Sequence, residues 1–155
     1  MRAFPLILAV LMLIASVKSC TSQNTPLFDV LSVQIPSSLV KADDNEHHYK
    51  NSENGVELRF RMTENKQLAP AMPKINSDSI FNQEMPEGIN LRKKEIKEVN
   101  GLEVKIVEFE KDQEVTMFFL IEINNELLMS TLTGKVQSVE YMDDVFSKII
   151  NSMKK

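Results

Sequence analysis

The chain has 155 residues, 43% of them apolar and 26% charged, with a formal charge of −4. That length suits a leader and one compact domain and falls short of two ordinary ones. The acidic balance argues against nucleic acid, whose affinity comes from neutralised phosphates, and against electrostatic adhesion to anionic lipid.

Arg2 supplies a positive start, and Phe4–Val17 is apolar apart from Pro5 and Ser16. The run is shorter than the ~18–20 residues a bilayer core requires, so residues 1–19 read as a signal peptide rather than a spanning helix. Val17-Lys18-Ser19-Cys20 closes it, around the one cysteine of the chain. Val17 three residues before the cysteine and Ser19 directly before it resemble a bacterial lipoprotein signal; Lys18 is the irregular position. The resemblance implies that Cys20 is lipidated and anchors the protein in the cell envelope. Thr21, rather than an aspartate, points to the outer membrane, facing the periplasm or the surface, more than the inner one. The alternative is ordinary cleavage that leaves a free thiol. Without Arg2 and Lys18 the remainder is more acidic still, so membrane contact is expected through Cys20 alone. A single cysteine forms no internal disulfide, and the domain must rest on its hydrophobic core.

Residues 20–27 read as a lipidated cysteine and polar tether, and 28–155 as a single α/β domain. Phe28, Val30, Val33 and Ile35 suggest a first strand, stopped by Pro36-Ser37-Ser38. Residues 41–54 are polar and predict a loop, with a short strand near His47–Lys50. Val56, Leu58, Phe60 and Met62 alternate with charged residues, as in a half-buried strand. Pro70 and Pro73 place a loop over 65–74. Asn76-Ser77 can cap a short helix reaching about Gln83. Ile89–Val99 predicts a charge-rich strand, Asn100-Gly101 a type I′ hairpin turn, and Leu102–Phe109 the return. After a turn at 111–113, Val115–Ile121 is apolar without alternation, a strand buried on both faces. Asn124-Asn125 turns into a last strand, Glu126–Thr133. Val136, Val139, Met142, Val145, Phe146, Ile149, Ile150 and Met153 then recur at three- and four-residue steps. They predict an amphipathic helix of about five turns, capped by Thr133, with Lys154 and Lys155 at its negative end.

The hairpin turns make the sheet antiparallel, and its doubly apolar strand needs two covers. The expected fold is α+β: a meander sheet with the long C-terminal helix on one face and the short crossover helix on the other. This order, from Ile35-Pro36-Ser37-Ser38 to the closing Ile149-Ile150-Asn151-Ser152-Met153, resembles the fold shared by the photosystem II subunit PsbP and the Ran-binding Mog protein. Small bacterial lipoproteins with this fold also exist. The resemblance implies a non-enzymatic binding or assembly-assisting module; it carries over no site residue.

The residues themselves carry little chemistry. Asp43, Asp44, Glu46, His47 and His48 form the one cluster of metal-capable types, but adjacent histidines diverge on a strand and no EF-hand spacing is present. It reads as a solvated acidic loop. No serine lies in a Gly-x-Ser-x-Gly setting, and no glycine-rich phosphate loop exists. Asp143 and Asp144 fall on the polar face of the last helix. No catalytic, metal or cofactor residue is therefore assigned, and no cofactor is expected. Arg92, Lys93, Lys94, Lys97 and Lys105 form a basic strand face, read as a solubilising edge or as a docking patch for an acidic partner. Met72, Pro73, Met85 and Pro86 suggest a partner surface or a lid on the core. The expectation is an envelope lipoprotein that binds another envelope component. The alternatives are a hydrolase-type enzyme with a dispersed site, or a small-ligand or cation binder.

Overall fold

The computed structural model describes residues 22–42, 47–64 and 76–155. The leader, Cys20, Thr21, Asp43, Asp44, Glu46, and the expected 65–74 loop with Pro70, Met72 and Pro73 lie outside them.

The described chain opens on a hairpin. β1 (Gln23–Leu27) pairs antiparallel with β2 (Leu31–Ile35), through a turn in which Phe28 and Asp29 take φ of 52° and 58°. This corrects two expectations. Residues 23–27, assigned to the tether, are a strand, and the single strand expected from Phe28 begins only at Leu31. Apolar side chains at 27, 28, 30, 31, 33 and 35 surround a reversal of direction rather than one continuous pleat.

β3 (Val40–Lys41), β4 (His48–Lys50) and β5 (Glu57–Glu64) follow. Helix α1 (Ser77–Phe81) comes next, then four ten-residue strands: β6 (Asn90–Val99), β7 (Leu102–Lys111), β8 (Glu114–Ile123) and β9 (Glu126–Lys135). A 3-10 turn (Val136–Ser138) leads into α2 (Val139–Asn151). β3 to β9 make one antiparallel sheet in the order β3-β4-β5-β9-β8-β7-β6. The expected turns hold this meander. Asn100-Gly101, Asp112-Gln113 and Asn124-Asn125 all have positive φ, which matches the twist of the strands they join.

Two apolar layers lie on the two faces of β8. Val115, Met117, Phe119, Ile121 and Ile123 belong to the main core with Leu58, Val104, Ile106, Leu132 and the α2 residues Met142, Val145, Phe146, Ile149 and Ile150. Leu120 belongs to the second layer, with Val107, Leu127 and Phe81 of α1. The fold class is the one expected. What was not expected is that the β1–β2 hairpin shares the α2 layer: Leu27, Leu31, Val33 and Ile35 join the main core. The chain end fastens it there. Lys154 exchanges backbone hydrogen bonds with Ser32 at 2.8 and 3.0 Å, and the Ser152 hydroxyl accepts from the Gln34 N–H at 2.7 Å.

The closing helix differs from its sequence reading at both ends. Thr133 stays in β9 and caps nothing; Ser138 takes the N-cap position without a side-chain hydrogen bond. The helix stops at Asn151, so Lys154 serves the bridge to Ser32. Gly134 lies inside the strand, paired with Val115. A Cβ there would meet Met142 Sδ at 2.8 Å and Val56 Cγ2 at 2.9 Å, so only glycine lets α2 approach β9 this closely.

A helix of this length is marginal alone and is held by its buried stripe. Phe146 is buried, its ring 5.7 Å from that of Phe119. Phe146→Ala should cost about 3–5 kcal/mol, a large share of a small domain's stability, and lower the melting temperature sharply. Exposed Asp143→Ala should stay within about 0.5 kcal/mol. Deleting residues 136–155 should abolish the cooperative melt; a near-native melt of that truncation would show that α2 is not core.

Candidate functional site

The outer face of the sheet, opposite α2, is divided. Under α1 it is apolar. Beyond α1, over β4, β5 and β9, it is polar and uncovered among the described residues: His48, Lys50, Glu57, Arg59 and Arg61 share it with Thr131 and Thr133. Register explains the grouping, because His48 faces Arg59, Lys50 faces Glu57, and Arg59 faces Thr131. Directly opposed residues lie on one face of an antiparallel pair. Glu57 is the centre. It accepts from Arg59 at 2.9 Å and lies 3.2 Å from both Lys50 Nζ and His48 Nε2. The Lys50 contact above all, helped by Arg59 and His48 against partial burial, holds its carboxyl below the usual glutamate range. Lys50, Arg59 and Arg61 outnumber the one Glu57 carboxylate and leave this face basic within an acidic protein. The sequence signal was present: Arg59 and Arg61 are the wet positions of the alternating strand. What was missing was the pairing that adds Lys50.

The basic strand face expected from Arg92, Lys93, Lys94, Lys97 and Lys105 does not form as one surface. Lys94 faces Val107 and Ile96 faces Lys105, which puts Lys94 and Lys105 on the α1 face. Lys93 faces Glu108 and Lys97 faces Val104, which puts them on the α2 face. A bulge at Leu91/Lys93 displaces Arg92, which pairs with Glu108 at 2.6 Å and Glu110 at 3.0 Å. Lys94 lies 4.8 Å above the Phe81 ring. The pleat thus separates what looked contiguous in sequence.

Lys105 is a structural post. Only 5% exposed, its Nζ donates to Ser77 Oγ and to Glu103 at 2.7 Å and lies 3.2 Å from Asp78. Burial is the largest influence and works against its charge, but the Glu103 and Asp78 carboxylates together raise it above the usual lysine range. Glu122 accepts from the Ser77 N–H at 2.7 Å, and Asn76 and Ser79 form a reciprocal capping box. A five-residue helix cannot hold itself; these bonds and Phe81 seat α1 on the second core layer. Met85 packs there too, as a lid on the core.

Of the expected metal-capable cluster, His47 and His48 are described. The His47 ring lies against Phe28, centroids 4.1 Å apart and planes tilted by 39°, and His48 turns to Glu57. The two rings therefore serve different neighbours. Among the described residues no three His, Cys, Asp or Glu side chains gather to hold a metal. Asp143 and Asp144 are exposed, Asp144 pairing with Lys148 at 2.7 Å.

A cavity of about 80 Å³ lies between α2 and the β6 side of the sheet, with Ile106, Met117, Phe146 and Ile150 among its walls and Lys93, Lys97 and Asp143 at its rim. That is room for a few waters or one side chain, well below a usual small-molecule site. A wider surface cleft of about 450 Å³ separates the opening hairpin from β3, between Pro26, Ile35, Leu39 and Val40. No helix of the described residues is long and apolar enough to cross a membrane.

Together, the seven-stranded antiparallel sheet, the closing helix and the short crossover helix make a PsbP-like α+β fold. Cyanobacterial PsbP (CyanoP) from Synechocystis sp. PCC 6803 superposes with a TM-score of 0.60 over 90% of this chain and 95% of that one, at 10% identity. A Pseudomonas aeruginosa protein of unknown function, PA94, aligns over 82% of this chain and 92% of its own with a TM-score of 0.48 and 14% identity. No family model matches the chain, and no curated protein matches it.

Two predictions follow from the polar clusters. Lys105→Met keeps the buried stem but strips Ser77, Asp78 and Glu103 of their cation, so α1 should lose hydrogen-exchange protection and stability should fall by about 1–3 kcal/mol. Because the folded pKa is raised, the stabilisation is full below the ordinary lysine value of about 10.4 and fades as pH rises through the folded one. Wild type should therefore lose this advantage over the variant in strongly alkaline melts. For Glu57 the sign is opposite. Its contribution is present above about pH 4.3 and is lost as pH falls through its depressed value. Glu57→Gln should flatten the acid limb of the melting-temperature profile, and an unchanged limb would show that the cluster contributes nothing.

Proposed function

We propose that this is a lipid-anchored envelope protein whose α+β domain binds another envelope component without turning over a substrate. The observation that carries the binding role is the basic part of the sheet's outer face, uncovered among the described residues, where Lys50 and Arg59 bind Glu57 and Arg61 lies further along the same strand. A sheet face of that kind suits an acidic protein surface, since complementary charge steers encounter and fixes orientation. The leader ending at Cys20 supports the anchor: stable attachment requires more than one acyl chain, and the resemblance implies a multiply acylated cysteine. Strand β1 starts three residues after Cys20, so an anchored domain would sit close to the bilayer, with little tether to let it roam.

The test is crosslinking and pull-down from native membranes with the full chain. Wild type should partition into detergent, carry acyl mass on Cys20 and retain a partner in a salt-sensitive way. Cys20→Ser should release the protein from the membrane. Arg61→Glu, at an exposed position outside the ion pairs of Glu57, should weaken binding of the partner while keeping the melt. An unmodified thiol in the soluble fraction would overturn the anchor. Turnover of an ester, peptide or phosphoester, abolished by a point mutation, would overturn the non-enzymatic role.

A further inference from the structure

β6 ends the sheet, and its outer edge has no partner strand among the described residues. Such an edge presents unpaired N–H and C=O groups, and charge normally guards it against association. Here the charge is arranged to permit one association. Ile96, 55% exposed, sits at the centre of Lys94-Glu95-Ile96-Lys97-Glu98. Around it every position is matched by an opposite charge at the mirror position.

We propose that β6 pairs with β6 of a second copy of this chain, antiparallel about a two-fold axis at Ile96, to join the two sheets edge to edge. In that register Ile96 meets Ile96, Glu95 meets Lys97 of the second copy, and Lys94 meets Glu98; the symmetry repeats both pairs. Shifting by two residues either way destroys the match. One shift opposes Glu95 to Glu95 and Lys93 to Lys97; the other opposes Lys97 to Lys97. The bulge at Leu91/Lys93 ends the regular edge, so Leu91 takes no part.

The backbone allows the same register. Val99 and Leu102 flank the two-residue turn, and in such a hairpin they exchange both hydrogen bonds. Alternation then directs Val99, Lys97 and Glu95 towards β7, and turns the N–H and C=O of Glu98, Ile96 and Lys94 outward. Those outward residues are the ones that the proposed register sets opposite each other, so each pair exchanges both bonds. A shift by one residue would set outward groups against inward ones. The side chains agree as well. Lys97 and Glu98 form no ion pair among the described residues, whereas Lys93 bonds Glu95 at 3.0 Å. The second copy supplies the counter-charge that Lys97 and Glu98 lack. This surface is separate from the basic face over β4 and β5, so its success or failure is independent of the envelope partner.

One strand pair is a small interface, so the dimer should be weak and reversible, with a dissociation constant in roughly the micromolar range or above. Sedimentation equilibrium of the full chain in mild detergent, from micromolar to millimolar protein, should show it. Lys97→Glu sets carboxylate against carboxylate twice and should weaken the dimer at least about tenfold. Glu95→Lys/Lys97→Glu reverses both charges, restores the match and should recover wild-type association. Both variants lie on an exposed strand and should keep the native melt. A chain that stays monomeric throughout overturns the proposal. So does a dimer indifferent to Lys97→Glu, or one that the double reversal fails to rescue.

Discussion

The double burial of β8 is the constraint from which the rest of the architecture follows. A strand apolar on both faces cannot meet water on either. Each face needs its own cover, and the chain supplies covers of unequal strength. On one side α2 lays a continuous stripe over the strand, joined by the opening hairpin. On the other a single turn of helix and a few side chains must suffice. The main core has many contributors; the second layer rests on Phe81, Val107, Leu120 and Leu127, with partly buried neighbours.

That asymmetry accounts for where polar chemistry has been drawn inside. The strong cover is almost wholly apolar and needs few specific bonds, apart from the chain-end ties at Ser152 and Lys154. The weak cover is tied by ionic and capping interactions: Lys105 to Ser77, Asp78 and Glu103, and Glu122 to the Ser77 N–H. A buried ammonium is costly to desolvate, and only paired partners make it tolerable. In exchange, the position of α1 becomes specific. Among the described residues the same division leaves the β4–β5–β9 part of the outer face without a helix, and a basic surface remains there.

The two edge strands of the sheet differ in kind. At the β3 end, strand pairing dwindles to two residues, which blunts the edge by shortness. At the β6 end, a ten-residue strand stands at full length with charges of both signs. Shortness forbids pairing in any register. Alternating charge forbids it in most registers and leaves a complementary one open. An anchor that confines copies to one surface would raise their effective concentration at such an edge.

Periodicity and turn chemistry made much of the fold readable from the sequence. Local conformational rules place the Asn-Gly turn, the alternating strand at Val56–Met62, the doubly apolar strand and the amphipathic helix, because each depends on neighbours within a few residues. The opening hairpin is not legible in the sequence because its reversal at Phe28-Asp29 carries no glycine or proline signal, and its stability comes from α2 and the chain end, far away in sequence. The helix start is not legible there either, because Thr133 stays paired in β9 and the helix begins only after the 3-10 turn. The candidate surfaces were harder still. Arg59 and Arg61 could be seen as wet, but strand pairing alone brings Lys50 and His48 beside Glu57. Lys94 and Lys97 looked like one patch, yet the pleat sends them to opposite faces. Lys105, which resembles any edge lysine in the sequence, is buried because α1 folds over it. The sequence by itself determined the elements and the order of their covers, since those follow from local period. Tertiary structure decided which charges meet, because opposition across strands is set by register and not by proximity along the chain.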